Sequence, residues 1–327
     1  MYFVALCYAD ANGWGLMQFG FETEAAQEFP RYVMYDVNNV CNARCPFCPQ
    51  SAIAQSEDFE PRHLDWDVFV RTIEETARYP VELVRFTGDG EPLLHPRMTD
   101  MIAHARAVGI RKINLTTNGS LLRGRRLEAI LEHPPHIIDF SLDAMRPATY
   151  DKYRVGLDFD TTMANVHRFL ERRNPAGTKV IVSMIHHPGL DEEVAEFRAY
   201  WTGKADFVAI RRLHSNLGSV QVEQAPLPPR WPCVHLWQRL VVDFRSHIRF
   251  CPIDWHDKSY VGDATTMSLH EAWHGPFMRE LRRRHLAADY AGCGVCEKCG
   301  DWANTPWSQS WVNMVQQPAL SAQPAAV

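Results

Sequence analysis

YDVNNVCNARCPFCPQSAIA, residues 35 to 54, places Cys41, Cys45 and Cys48 within eight positions, the last two each followed by proline. The run before it, RYVMYDV (31–37), is aromatic and β-branched and reads as a strand, so the three thiols fall on the loop that leaves it. Thiols spaced i, i+4 and i+7 on one loop can converge on a single inorganic centre.

Working outward, the same kind of run recurs at VELVRFT (81–87), RKINLTT (111–117), HIIDFSL (136–142), KVIVSMI (179–185) and DFVAIRR (206–212). Helix-period patterns lie between them, at about 65–79, 96–108, 120–132, 161–173 and 191–201. Six strands separated by helices predict a parallel sheet, and such sheets carry their chemistry on loops at the carboxyl ends of the strands. GDGEP (88–92) follows the second run, TNG (117–119) the third and SLDA (141–144) the fourth, on the same rim as the cysteines.

QVEQAPLPPRWP (221–232) carries four prolines and reads as a linker. Beyond it, RLVVDF (239–244) and HIRFCPI (247–253) predict a hairpin, and a helix is expected from about Ser268, as N-cap, to Arg284. The tail after Trp302 turns Gln-, Ala- and Pro-rich. The expected division is an N-terminal extension (1–30), a large α/β unit (31–220), a small cysteine-bearing unit (221–303) and a tail (304–327).

Hydrophobic residues at 46% and charged residues at 22% suit a globular chain rather than a disordered or fibrous one. A net charge of −5 gives no basic footprint for nucleic acid or anionic lipid, so a small molecule or a peptide is the expected partner. The opening MYFVALCYADANGWGLMQFG has no basic segment and no apolar run long enough for a signal peptide or membrane span. Nine cysteines, odd in number and mostly clustered, favour metal ligation in a reducing cytoplasm over a disulfide framework.

Three thiolates can bind three irons of a [4Fe-4S] cube and leave the fourth iron open to a chelating ligand. A zinc knuckle is the alternative, although structural zinc fills all four positions with protein. CNARCPFC resembles the CxxxCxxC signature of the radical S-adenosylmethionine (SAM) enzymes. That resemblance implies a partial (β/α)6 barrel, SAM on the open iron, and reductive cleavage of SAM to methionine and a 5′-deoxyadenosyl radical. It also implies an external one-electron reductant, such as flavodoxin or ferredoxin.

The neighbouring segments extend the resemblance. GDGEP is similar to the family's GGEP segment, where Gly88, Asp89 and Gly90 would admit the methionyl amino group and Glu91 would complement its charge. Phe47 resembles the aromatic that packs near adenine, with a core role as the alternative. Thr117 and Asn118 fall where the family approaches SAM. SLDAMRPATYDKYR resembles an SxDA…R segment, so Ser141, Asp143 and Arg154 join the SAM-binding candidates, Ser141 and Arg154 for the SAM carboxylate; a salt bridge is the alternative for Arg154.

Cys233, Cys251 and the distal pair Cys296 and Cys299 are spaced to close a second metal site. The stretch WPCVHLWQRLVVDFRSHIRFCPIDW…GVCEKCGDW resembles the twitch module, a shortened SPASM domain that holds one auxiliary [4Fe-4S] cluster. A zinc ribbon shares this spacing. CGVCEKC leaves Cys293 as a rival to Cys299, and CEKCGDW matches the family's ending better.

An auxiliary cluster with all positions filled by cysteine can accept an electron but not a substrate atom. The resemblance to twitch-bearing dehydrogenases of aminoglycoside biosynthesis therefore implies oxidation of a sugar or aminocyclitol alcohol to a ketone. No convincing GxGxxG fingerprint for a nicotinamide cofactor competes with this. Epimerisation, with Cys293 or Cys7 as hydrogen donor, is the alternative, and a non-catalytic zinc protein a more remote one. Arg211 or Arg212, His214 and Asp254 are the candidates for a base or a hydroxyl anchor, with Arg212, Asp254 and Cys293 taken as the catalytic set.

Overall fold

The computed structural model describes residues 9–10, 13–14, 27–222 and 230–304. Most of the N-terminal extension, residues 223–229 of the proline-rich stretch, Cys7 and nearly all of the expected tail lie outside the described residues.

Two short strands, β1 (Ala9–Asp10) and β2 (Gly13–Trp14), pair with each other. The six expected strands follow as β3 (Tyr32–Asp36), β4 (Leu83–Thr87), β5 (Ile113–Thr117), β6 (Ile137–Ser141), β7 (Lys179–His186) and β8 (Phe207–Arg212). They pair in sequence order, each parallel to the next, with helices between successive strands. The helix spanning Trp66–Thr76 starts at Asp65, whose carboxylate accepts the amide N–H groups of Asp67 and Val68.

Alternation along the strands sorts the two faces. Val33 and Tyr35 of β3 and Val84 and Phe86 of β4 join helix residues such as Phe69, Ile73 and Ile102 in the main core. On the other face, Tyr32, Leu83, Ile137 and Ile181 form a small apolar layer. One step further along, that face becomes polar: Arg211 pairs with Asp139 at 2.7 Å, and Arg85 reaches the Thr116 hydroxyl at 3.0 Å. The apolar layer floors the barrel and the polar layer lies toward the rim that carries the motifs.

The predicted hairpin is present as β9 (Arg239–Asp243) and β10 (His247–Arg249), joined by β11 (Tyr260–Asp263), which the sequence reading did not include. It does not start a sheet of its own. β9 runs parallel to β3, with Asp36 opposite Asp243, so one sheet has the order β11-β10-β9-β3-β4-β5-β6-β7-β8. β10 ends at Arg249 rather than continuing to 253, where its register with β11 shifts.

The single helix expected from Ser268 to Arg284 is two helices, Leu269–His274 and Pro276–Leu286. Ser268 caps the first through a capping box with Glu271. Pro276 breaks the run because the residue before proline is driven to extended backbone, as at Gly275, and Pro276 then opens the second helix. Among the described residues no helix is long and apolar enough to cross a membrane.

Candidate active site

The loop after β3 is stitched to the loop after β4. Asn38 donates from Nδ2 to the Glu91 carbonyl at 3.0 Å and accepts the Val40 N–H at 3.1 Å, while the Glu91 N–H donates to the Val40 carbonyl at 2.8 Å. Gly90 is required by this closeness: an added Cβ would lie 1.9 Å from Asn38 Oδ1 and 2.3 Å from the Val40 oxygen.

Cys41, Cys45 and Cys48 line a cavity of about 150 Å³ on this rim. Phe47, Gly88, Asp89, Gly90, Glu91, Thr117, Asn118, Ser141 and Arg154 line it too, so the structure brings together every sequence candidate for SAM contact except Asp143. Burial raises all three thiols, Cys41 to about 11 and Cys48 to about 12, so ligation must displace their protons. The Ala43 N–H, 3.4 Å from the Cys41 sulfur, is oriented to support a thiolate.

Glu91 is buried and engaged. Its carboxylate accepts the Thr117 hydroxyl at 2.6 Å, the Asn118 N–H at 2.8 Å and the Leu93 N–H at 3.1 Å. Burial raises its pKa and these hydrogen bonds pull it back. Asn118 in turn donates to Asn42, in the cysteine loop, at 2.9 Å.

Arg154 forms a buried salt bridge with Asp143 at 2.5 Å. Its Nη1 lies 3.8 Å from the Cys45 sulfur and its guanidinium 5.7 Å from the Phe47 ring centre. Burial opposes its charge, but Asp143 and Cys45 outweigh this and keep its pKa raised. Asp143 has φ +61° and also accepts the Ile185 N–H at 2.7 Å. Its place is behind Arg154 rather than on the cavity wall.

Cys233, Cys251, Cys296 and Cys299 line a second, smaller cavity of about 30 Å³, together with Phe250, Ile253 and Trp302. Burial raises each of these thiols, Cys233 to about 11. Cys293 does not line this cavity, and its sulfur lies 3.5 Å from the Asp289 carbonyl. Arg230 braces the cysteine loop through the Cys296 and Glu297 carbonyls and stacks on Tyr290, 3.7 Å from its ring centre.

Arg212, Asp254 and Cys293 line neither cavity. Arg212 is exposed, and Asp254 is buried with its carboxylate taken by the backbone N–H groups of His256 and Ser259. Arg211 is paired with Asp139, and His214 lies 3.8 Å from Asp301. Sequence reasoning missed Asn38 and Asn42, although asparagines flanking a cysteine loop are a readable turn signal. It also missed Arg249, whose strand position gives no local sign of its partners.

Both donor sets fit iron–sulfur chemistry. Three thiols face a cavity with room for a further ligand, and four thiols enclose a compact one whose wall carboxylate, Asp301, is already occupied by Ser215 and Leu217. The model of the radical SAM superfamily matches residues 35–199, and that of an iron-sulfur cluster-binding domain, SPASM, matches residues 233–300. A "tungsten-containing aldehyde ferredoxin oxidoreductase cofactor-modifying protein" of Pyrococcus furiosus is 26% identical over 166 residues, 50% of this chain and 43% of that one. A GTP 3′,8-cyclase of Chlorobaculum tepidum is 36% identical over 115 residues, 35% of this chain and 33% of that one. The chain thus spans less than half the length of either relative. Among solved structures, BtrN in complex with AdoMet and 2-DOIA has a TM-score of 0.57 at 15% identity, covering 83% of this chain and 93% of its own. SuiB of Streptococcus suis, bound to S-adenosylmethionine, has a TM-score of 0.66 at 13% identity, covering 89% and 75%. At these identities the two structures show a shared fold. The chain belongs to the radical SAM superfamily, with SAM, a SAM-binding [4Fe-4S] cluster and an auxiliary [4Fe-4S] cluster as its cofactors.

Proposed function

We propose that this enzyme oxidises a secondary alcohol of a sugar or aminocyclitol to a ketone. Cys41, Cys45 and Cys48 hold the SAM-binding cluster in this reading, and Cys233, Cys251, Cys296 and Cys299 the auxiliary one. When bound, the first cluster with SAM supplies hydrogen-atom abstraction and the second supplies an electron acceptor. The observation that carries the reading is the four-cysteine cavity: a thiol set that closes its own site suits electron transfer rather than substrate ligation.

The chain's own residues bind and orient. Glu91 locks the loops after β4 and β5 together, and Arg154, held by Asp143, presents a fixed cation beside Cys45 and Phe47 for a carboxylate. The close match in extent with BtrN, whose complex holds AdoMet and 2-DOIA, supports a compact enzyme for a small substrate. Epimerisation needs a thiol facing the substrate; Cys293 lines neither cavity, and Cys7 lies outside the described residues.

Anaerobic reconstitution to about eight irons per chain, then incubation with SAM, a reductant and a panel of aminocyclitols, amino sugars and GTP, tests the proposal. A ketone formed with 5′-deoxyadenosine supports it. Solvent deuterium fixed at carbon, or turnover of GTP alone, overturns it.

A further inference from the structure

Arg249 sits on β10, two residues before Cys251, and is 1% exposed. Its guanidinium meets carboxylates from three separate segments. It bonds Asp36 at the end of β3, lies 3.4 Å from Asp243 at the end of β9, and lies 3.9 Å from Asp89 of the GDGEP loop. Nη1 also donates to the Asp254 carbonyl, just beyond Cys251.

The contacts are locked by the backbone around them. Asp36 and Asp243 are register partners on adjacent strands. Gly88, at φ +130°, lies so close to Asp36 that an added Cβ would come within 2.6 Å of its Cα. Asp243 spends its other oxygen on the Arg245 and His247 N–H groups. Asp89, by contrast, lines the first cavity, and its ion pair is with Arg249. Burial pushes Asp36 and Asp89 up, and Arg249 is the main influence holding each down. A guanidinium removed from this cluster leaves Asp36 and Asp89 without their main counter-charge at the cavity wall, while Asp243 keeps the Arg245 guanidinium at 3.3 Å.

We propose that Arg249 is a positioning residue for SAM: from the C-terminal hairpin it fixes the Asp89 loop, so that the SAM site is complete only with that hairpin docked. The proposal rests on the assignment of the first cavity to SAM. It makes the hairpin that carries Cys251 a part of the wall of the other site, with one side chain shared between them.

The test is equilibrium dialysis of radiolabelled SAM against the full chain, reconstituted to matched iron and sulfide content, for wild type, Arg249→Met, Arg249→Lys, Asp89→Asn and the Arg249→Met/Asp89→Asn double variant. Arg249→Met is expected to weaken SAM binding about tenfold or more, with both clusters retained and partial recovery in Arg249→Lys. Asp89→Asn is expected to give a similar loss, and the double variant no further loss. Wild-type affinity in Arg249→Met, or additive losses in the double variant, overturns the proposal. Should Arg249→Met fail to retain both clusters, Arg249→Lys decides: wild-type affinity there overturns the proposal, and a loss with both clusters retained supports it. A wild-type chain that does not bind SAM refutes the cavity assignment instead.

Discussion

Glu91 and Thr117, 26 residues apart in sequence, join the loop after β4 to the end of β5: the Thr117 hydroxyl donates to Glu91 Oε1 at 2.6 Å. Asn118 N–H fills Oε2, so one buried carboxylate holds the loop after β4 against the loop after β5.

Glu91→Gln is isosteric but turns one acceptor oxygen into an NH2 group facing a donor. Leaving a buried donor unpaired costs about 1–3 kcal/mol. Chemical denaturation of the apo-protein should show a loss of that size, and SAM affinity should fall with it. A variant as stable as wild type would contradict the role given to this clamp.

Gly90→Ala places a methyl group 1.9 Å from Asn38 Oδ1. The neighbouring contact is backbone, at Val40, and cannot swing aside. The cysteine loop must shift, so SAM binding should be lost while circular dichroism retains the α/β signature. The same substitution at exposed Gly177, where a Cβ meets only Asn174 at 3.6 Å or more, leaves SAM binding intact.

Iron analysis separates the two thiol sets. Alanine at Cys233, Cys251, Cys296 or Cys299 should lower iron from about eight to about four per chain and preserve SAM binding. Alanine at Cys41, Cys45 or Cys48 should also lower it by about half and abolish SAM cleavage. Cys293→Ala should keep the full complement, since its thiol lines neither cavity.

The acid cluster around Arg249 gives a pH signature. Burial raises Asp36 to about 8 and Asp89 to about 6, above the ordinary aspartate value of 3.8. With the folded pKa raised, the native state keeps protons that the unfolded chain releases. The contribution of these two acids to stability is therefore fully present below the unfolded pKa and is lost as pH rises through 4 to 8. Asp36→Asn should flatten that fall in urea midpoints measured across the range; an unchanged slope would contradict it.

Local sequence carried most of the architecture. β3 through β8 follow β-branched runs, several of them buried on both faces of the sheet, and the sequence readings placed each strand to within a few residues. Pro276 shows where a local signal was under-weighted: one helix was expected from Ser268 to Arg284, yet proline's restriction on its predecessor splits it. The first sulfur loop was legible because its three thiols are closely spaced on one loop, whereas Cys233, Cys251, Cys296 and Cys299 come from three segments and were grouped by resemblance to the twitch module.

The amino-acid sequence by itself determined the order of strands and helices, the two cysteine groups and the rim segments, because periodicity and turn chemistry act over a few residues. Tertiary structure decided what those segments meet. It put Asp143 behind Arg154, left Cys293 outside the four-thiol cavity, joined β9 to β3, and gathered Asp36, Asp89 and Asp243 on Arg249. Asp36 and Asp89 each lie more than a hundred residues from Arg249, and a buried charge is satisfied by whichever group the folded chain brings within reach, a distance that no local pattern encodes.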